Sequence, residues 1–308
     1  MNYTLNQLNI FLKIYQTKSI TKAAEELFLS QPAVSIQLRN FQQQFDIPLT
    51  EIVGRKLYIT AFGKEVALAA ENILNEVYKI NYKTQSFKGQ LTGRLTISVV
   101  STGKYVMPFF LADFLKNNAG VDLSLDVTNK SKVIESLQKN EVDFSLVSVL
   151  PDNLSIDRLE LMQNKLYLIA NKDQVFKKKK YQDKSILETL PLIYREEGSG
   201  TRYVMEKYLN EQSIYIRKKM ELSTNEAVKQ AVIAGLGCSI MPLIGIKNEL
   251  QNGELQIVPI KEFPLTSTWN LVWLKEKKLS PVASAFLDYL RKETSNIVAD
   301  KFEWFEEY

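Results

Sequence analysis

Residues 30–45 combine hydrogen-bonding side chains with a helical spacing that suits contact with a DNA duplex. Val34, Leu38 and Phe41 recur at i, i+4 and i+7, so one face of this helix is expected to pack inward. The opposite face is short enough to enter a major groove, where base edges offer hydrogen bonds and thymine methyl groups. That face carries Gln31, Pro32, Ser35, Ile36 and Arg39. The expected chemistry is non-covalent recognition, with an ordinary solvated helix face as the alternative.

Two further helices are predicted to support this reading helix. Ser30 can cap the reading helix, and Pro32 fits its first turn, where a missing N–H costs little. Thr21 begins the preceding helix and is counted with the DNA contacts. The buried stripe of that helix is Ile20, Ala23, Ala24 and Leu27, and an earlier amphipathic helix is marked by Leu5, Leu8, Phe11, Leu12 and Tyr15. The pattern is typical of a helix-turn-helix.

A two-stranded wing is predicted after the reading helix. Residues 49–60 are partly β-branched and interrupted by Gly54, which favours a hairpin. Arg55 and Lys56 lie near its tip, and this basic tip is expected to reach a phosphate backbone. Ile36 is apolar on an outward face, so we expect it to touch a thymine methyl group.

Residues 64–88 contain neither proline nor glycine, which favours one long helix. Apolar residues alternate there in steps of four and three, as in a heptad seam: Val66, Ala70, Ile73, Val77, Ile80, Thr84 and Phe87. Such a seam favours pairing with the same helix of another subunit. The alternative is a helix that packs on its own domain.

The composition excludes several kinds of chemistry. The 308 residues include no histidine and one cysteine, so a Ser-His-Asp triad is impossible and a zinc site would need carboxylates almost alone. We therefore expect no enzyme activity, no metal and no cofactor. The net charge of +4 permits a local nucleic-acid surface without requiring one. Without a secretion signal or a long apolar run, the chain is expected to be cytoplasmic, with no membrane partner.

Beyond Arg94 the pattern changes to strands that alternate with helices. This alternation is typical of an α/β domain with a mainly parallel sheet. Helices are predicted at residues 107–115, 130–139, 201–210, 225–234 and 281–292. Strands are predicted at residues 95–100, 123–127, 143–147, 166–170, 192–194, 219–222, 239–241 and 270–274.

Small polar residues follow several of these strands, where ligands of open α/β sheets bind. Ser101 and Thr102 precede a helix, so hydroxyls and backbone N–H groups can converge on an anion, although simple helix capping is an equal alternative. Arg202 is expected to add a fixed cation, which favours a carboxylate or phosphate. The other predicted effector-binding residues are Thr128, Asn129, Ser148, Ser199, Gly200 and Thr201.

From about Leu5 to about Arg291, the chain resembles the LysR-type transcriptional regulators. The residues that carry the resemblance are Ser19, Thr21, Ala23, Ala24, Leu27 and residues 30–35 in the reader, Pro48, Leu49, Gly54, Arg55, Thr60 and Gly63 around the wing, and residues 198–202, 234–237 and 242 in the second half. Residues 198–202 look most like the branch that includes regulators of carbon fixation and cysteine metabolism. Thr50 and Ile52 depart from the usual phenylalanine and arginine of the wing.

The resemblance implies an α+β multidomain protein that binds double-stranded DNA as a dimer of dimers. Its expected parts are a winged helix-turn-helix (residues 1–60), a linker and dimerisation helix (61–90) and a two-lobed α/β domain like periplasmic binding proteins (91–295). Lobe I would comprise residues 91–162 and 268–295, and lobe II residues 163–267. Residues 296–308 are expected to form a tail that either docks on another subunit or frays.

The sequence therefore predicts a sequence-specific transcriptional regulator controlled by a small anionic effector, with RNA polymerase as a further partner. The alternative is a cytoplasmic small-molecule binding protein with a helical association domain. Two other features are expected to be structural: Cys238 as a packing residue, and residues 177–180, a lysine run, as a solvated loop.

Overall fold

The computed structural model describes residues 3–54, 56–86, 91–176, 181–216 and 218–308, apart from the side chains of residues 75, 78, 79 and 81–86. Its contacts divide into two compact units, Met1–Gln90 and Leu91–Tyr308. Arg55, Phe87 and the lysine run at 177–180 lie outside the described residues, so the predictions made for them stay predictions.

The first unit is a winged helix-turn-helix, as predicted. Its elements are α1 (Leu5–Thr17), α2 (Ile20–Glu26), α3 (Gln31–Gln42), β1 (Thr50–Val53), β2 (Lys56–Ile59) and α4 (Ala61–Ser86). Ser19 accepts a hydrogen bond from the backbone of Lys22, and Ser30 accepts one from Ala33, so both serines cap their helices. The core between the helices is aromatic: the Phe41 ring lies 5.4 Å from that of Phe11 and 5.1 Å from that of Phe45.

The long helix α4 does not present the predicted heptad seam as one free face. Ala70, a member of that seam, is buried in the core of the first unit together with Ala67 and Leu74. In contrast, Ile73 and Ile80 are 41% and 63% exposed. The start of α4 thus packs on its own domain through α1, which is the alternative left open above. The predicted seam residues with described side chains are therefore divided between the core of this unit and its surface.

The second unit alternates strands and helices. Its strands are β3 (Thr92–Val100), β4 (Gly120–Thr128), β5 (Phe144–Val147), β6 (Ile156–Asn171), β7 (Leu192–Arg195), β8 (Lys218–Leu222), β9 (Ser239–Pro242), β10 (Leu255–Ile257) and β11 (Leu265–Leu274). Its helices are α5 (Met107–Asn117), α6 (Lys130–Gln138), α7 (Ile186–Thr189), α8 (Gly200–Glu211), α9 (Asn225–Ile233), α10 (Lys247–Gln251) and α11 (Pro281–Phe302), with 3₁₀ turns at Gly103–Tyr105, Leu243–Gly245 and Glu303–Glu307.

The prediction of a mainly parallel sheet is wrong. The large sheet has the order β10-β6-β11-β5-β3-β4, with β9 also on β6; β7 and β8 form a separate parallel pair. Strand β3 is parallel to β4 and β5, but β6 and β11 are antiparallel to every strand they contact. These two long strands join the β3 side of the sheet to the β9 and β10 side, with a register shift at Trp269/Asn270. Hydrophobic patterns do not reveal strand direction, which explains the error.

The C-terminal residues pack on the second unit. Helix α11 continues through Phe302, beyond the boundary expected at residue 296, and Phe302 and Phe305 are buried in the core. The buried Lys165 ammonium donates a hydrogen bond of 2.9 Å to the Phe305 carbonyl. The tail therefore packs on its own unit, an arrangement that neither alternative, docking on another subunit or fraying, had anticipated.

Candidate functional site

The reading helix α3 presents the residues that the sequence predicted. Gln31, Pro32 and Arg39 are exposed, Ile36 is 48% exposed, and Ser35 is half-buried on the flank. The inward residues Val34, Leu38 and Phe41 are buried, so the face opposite to them is the accessible one. A helix held in this way offers its outward side chains to a major groove.

A groove in the first unit extends this surface towards the wing. It encloses about 550 Å³ and is lined by Lys18, Ser19, Ile20, Thr21, Gln31, Ile52, Lys56, Leu57 and Tyr58. The structure thus brings Thr21 and Gln31 together with two cations. One is Lys56, which the sequence analysis expected near the wing tip, and the other is Lys18, which it missed.

Hydrogen bonds and apolar contacts hold the wing against the helices of this unit. The Gln42 Oε1 atom accepts hydrogen bonds from the Thr50 backbone N–H (3.2 Å) and hydroxyl (2.8 Å), while Leu57 and Ile59 pack against the helical core. At the wing's tip, Gly54 has φ +56°, a left-handed conformation that suits glycine. The Gln42 contacts thus fix where the wing begins relative to α3.

The second unit contains a small polar cleft where strand ends and helix starts meet. The lining residues are Val100, Ser101, Thr102, Asn129, Lys130, Ser148, Ser199, Gly200 and Thr201, around a space of about 10 Å³. Seven of the nine predicted effector-binding residues therefore lie together. Asn129 and Ser199 also cap α6 and α8, so capping and cleft lining coexist here.

The starts of α6 and α8 approach each other through Gly198. The Gly198 carbonyl accepts a hydrogen bond from the Ser131 backbone N–H at 3.2 Å. Gly198 has φ +81°, and a Cβ atom there would lie 2.6 Å from the Ser131 hydroxyl oxygen. Only glycine permits this approach. Two helix N-termini, each the positive end of its helix, border the same space, which favours an anion.

Lys130 adds a positive charge that the sequence analysis missed, although it directly follows the predicted Asn129. Its ammonium lies 4.3 Å from the centre of the Tyr203 ring. Burial lowers the pKa of Lys130, and the nearby Asp152 carboxylate partly opposes that effect. An anion in the cleft would stabilise the charged ammonium.

Two predicted effector-binding residues, Arg202 and Thr128, do not line the cleft. The Arg202 guanidinium binds the Glu206 and Glu221 carboxylates at 2.6 and 3.0 Å. The hydrogen bond that Arg202 donates to Glu206 is the main reason that the pKa of Arg202 is raised. Arg202 therefore stabilises α8 and β8 rather than offering a free cation. Thr128 ends β4 and is half-buried outside the lining.

Arg195 and Asn225 lie directly behind Ser101, and the sequence analysis missed both. The Ser101 hydroxyl oxygen is 3.3 Å from Arg195 Nη2 and 3.1 Å from Asn225 Nδ2. The two residues are only 3% and 4% exposed. Arg195 lies in the buried strand β7 and Asn225 begins α9. Neither position indicates from the sequence alone that the residue supports a cleft.

The remaining chemical candidates are not part of these surfaces. Cys238 is buried, its thiol lies 3.3 Å from Gln174 Oε1, and burial raises its pKa to about 11. Among the residues that the structure describes, no group of three or more His, Cys, Asp or Glu could hold a metal ion. None of the helices in that part of the chain is both long and apolar enough to traverse a bilayer.

Two family models match the chain. The model described as "Bacterial regulatory helix-turn-helix protein, lysR family" covers residues 5–64, and "LysR substrate binding domain" covers residues 88–295. The transcriptional activator CmpR of Synechocystis sp. strain PCC 6803 is 38% identical over 94% of this chain and 95% of the relative. The RuBisCO operon transcriptional regulator of Allochromatium vinosum is 36% identical over 96% and 98%. These relatives are transcriptional regulators, not enzymes.

Solved structures agree with this assignment. The regulatory domain of CcmR from Synechocystis PCC6803 in complex with 2-PG is 34% identical, with a TM-score of 0.64 over 67% of this chain and 99% of that chain. Full-length CbnR in complex with its target DNA has a TM-score of 0.72 over 94% and 99%; at 20% identity it supports the fold alone. Because family models match both units and the two transcriptional regulators are 38% and 36% identical over nearly the whole chain, the chain belongs to the LysR family of DNA-binding transcriptional regulators.

Proposed function

We propose that a small anionic effector binds in the cleft of the second unit and thereby controls DNA binding or oligomer shape. The proposal is supported by one observation: the N-termini of α6 and α8 and the side chain of Lys130 border the same cleft as several hydroxyl groups. Each of these features stabilises negative charge. The effector contacts would come from Ser101, Thr102, Asn129, Lys130, Ser148, Ser199, Gly200 and Thr201.

The polar lining of the cleft and one relative narrow the class of effector. Its hydroxyl groups and helix N-termini suit a carboxylate- or phosphate-bearing molecule, which would have to widen the present space of about 10 Å³. The CcmR regulatory domain has been solved in complex with 2-PG. We infer that 2-PG is the first molecule to test with this chain.

For the operator, we propose that α3 enters a major groove while the wing reaches the backbone. Thr21, Gln31, Pro32, Ser35, Ile36 and Arg39 would contact DNA, as predicted, and Arg55 remains a predicted phosphate contact outside the described residues. To these the groove adds Lys18 and Lys56.

Oligomerisation is proposed through the exposed part of α4, with a tetramer as the larger assembly. Among the described side chains of this helix, Leu68 and Ile73 are exposed apolar residues. Effector binding would favour one arrangement of the second unit, and hence one spacing between paired reading helices. RNA polymerase is the further partner proposed for such a regulator.

Footprinting of the full-length protein on the DNA upstream of its own gene tests this function. The titration is repeated at several salt concentrations, with 2-PG, inorganic phosphate or small dicarboxylates. We expect a protected site whose affinity falls steeply with salt, because phosphate contacts release counterions, and a pattern that changes with one anion. Protection that is indifferent to every anion would contradict effector control, and salt-independent binding would contradict the proposed DNA contacts.

A further inference from the structure

The hydroxyl group of Ser101 lies between the cleft and two buried hydrogen-bond donors. Ser101 follows β3 and lines the cleft. Behind it, Arg195 Nη2 and Asn225 Nδ2 donate to its oxygen at 3.3 and 3.1 Å. Both donors are almost completely buried, so water does not compete for these bonds.

A serine hydroxyl has one hydrogen to donate and two lone pairs that accept. Arg195 and Asn225 occupy both lone pairs of Ser101. The hydroxyl hydrogen must then point away from both donors. Because Ser101 lines the cleft, that hydrogen is available to an acceptor bound there.

The two donors are themselves held in place. The Glu196 carboxylate binds Arg195 Nε and Nη2 at 2.8 and 2.9 Å, which fixes the guanidinium plane. Asn225 is the first residue of α9, and the Thr224 side chain caps that helix. The geometry around Ser101 is therefore preorganised, and no ligand is needed to create it.

We propose that Arg195 and Asn225 are positioning residues that turn the Ser101 hydroxyl into a fixed donor for an anionic oxygen of the effector. This inference rests on the proposed function of the cleft. It explains why two polar side chains are buried behind the cleft. It also specifies the ligand group that would bind the Ser101 hydroxyl: a carboxylate or phosphate oxygen, which accepts a hydrogen bond, and not an N–H group.

A double-mutant cycle on the full-length protein tests the proposal. Isothermal titration with 2-PG and with inorganic phosphate compares wild type with Ser101→Ala, Asn225→Leu and the double variant. We expect Ser101→Ala to weaken binding about tenfold or more, since a hydrogen bond to a charged group is lost. Asn225→Leu should weaken binding about threefold. In the Ser101→Ala background it should have no further effect, because Asn225 acts through that hydroxyl.

Asn248→Leu serves as the matched control, because Asn248 is exposed on α10 and is not among the residues that line the cleft. Far-UV circular dichroism and thermal melts establish that every variant folds. Arg195→Lys, which keeps a donor and the charge, should bind better than Arg195→Met. Independent, additive losses from Ser101→Ala and Asn225→Leu would overturn the positioning role while leaving the cleft as the effector site. If neither 2-PG nor phosphate binds wild type, the proposed effector class fails and this inference fails with it.

Discussion

The two units build their binding surfaces in different ways. In the first unit, one helix and a short wing present side chains that are mostly exposed to solvent. In the second, the cleft draws residues from the ends of several strands and the starts of two helices, and one of its hydroxyl groups, that of Ser101, is bonded to Arg195 and Asn225 behind it. Substitutions on the DNA surface should therefore act nearly independently, whereas those in the cleft should be coupled.

The largest expected effect tests whether the two units fold independently. Phe41 is fully buried and contacts the rings of Tyr3, Phe11 and Phe45. Phe41→Ala should destabilise the first unit by about 3–5 kcal/mol, because it leaves a cavity among those rings. Calorimetry should show that one thermal transition moves down, with loss of operator binding. Equal shifts of every transition would show that the units unfold together.

Two glycine substitutions distinguish an effect on the geometry of the cleft from a general effect of backbone strain. Gly198→Ala should cost about 1–3 kcal/mol in effector binding, because the residue has φ +81° and its new Cβ would meet Ser131. Gly253→Ala is the matched control, with φ +70° and no heavy atom within 4 Å of the added Cβ. Titration with 2-PG should show the loss only for Gly198→Ala. A similar loss in both would point to general destabilisation.

On the DNA surface, base contact and phosphate contact should be distinguishable. Ile36→Ala should weaken operator binding by about 1 kcal/mol and relax the preference at one T·A pair, because a contact with a thymine methyl group is lost. Lys56→Ala should weaken binding to every sequence and reduce the salt slope by about one. Fluorescence anisotropy with operator and random duplexes measures both. Equal losses for Ile36→Ala on the two duplexes would reject a base contact.

The smallest effect concerns the buried thiol of the second unit. Burial raises the pKa of Cys238 to about 11, so at pH 8 only about one molecule in a thousand carries the thiolate. A disulfide reagent should therefore react slowly with the native protein and quickly after denaturation. The folded state binds this proton more tightly than the unfolded state, so its contribution to stability is present below about pH 9 and is lost towards pH 11. Rapid modification of the native protein at pH 8 would contradict this environment.

Much of the first unit was predictable because its information is local. The caps at Ser19 and Ser30 and the outward face of α3 follow from helical periodicity over a few residues. The cleft was partly predictable for the same reason, since strand ends and helix starts are local signals. The sequence pattern did not reveal which of those ends meet, so Thr128 was included and Lys130 was omitted.

The family, the reading helix and most of the hydroxyl groups of the cleft could be predicted from the sequence, because each depends on short-range spacing. Three features became apparent only in the folded chain. Arg202 pairs with glutamates, Arg195 and Asn225 support Ser101, and the start of α4 packs on its own domain. The tertiary structure also decided the antiparallel course of β6 and β11. The physical reason is that a side chain's partner and a strand's direction depend on contacts between residues far apart in the chain, which periodicity within one segment does not encode.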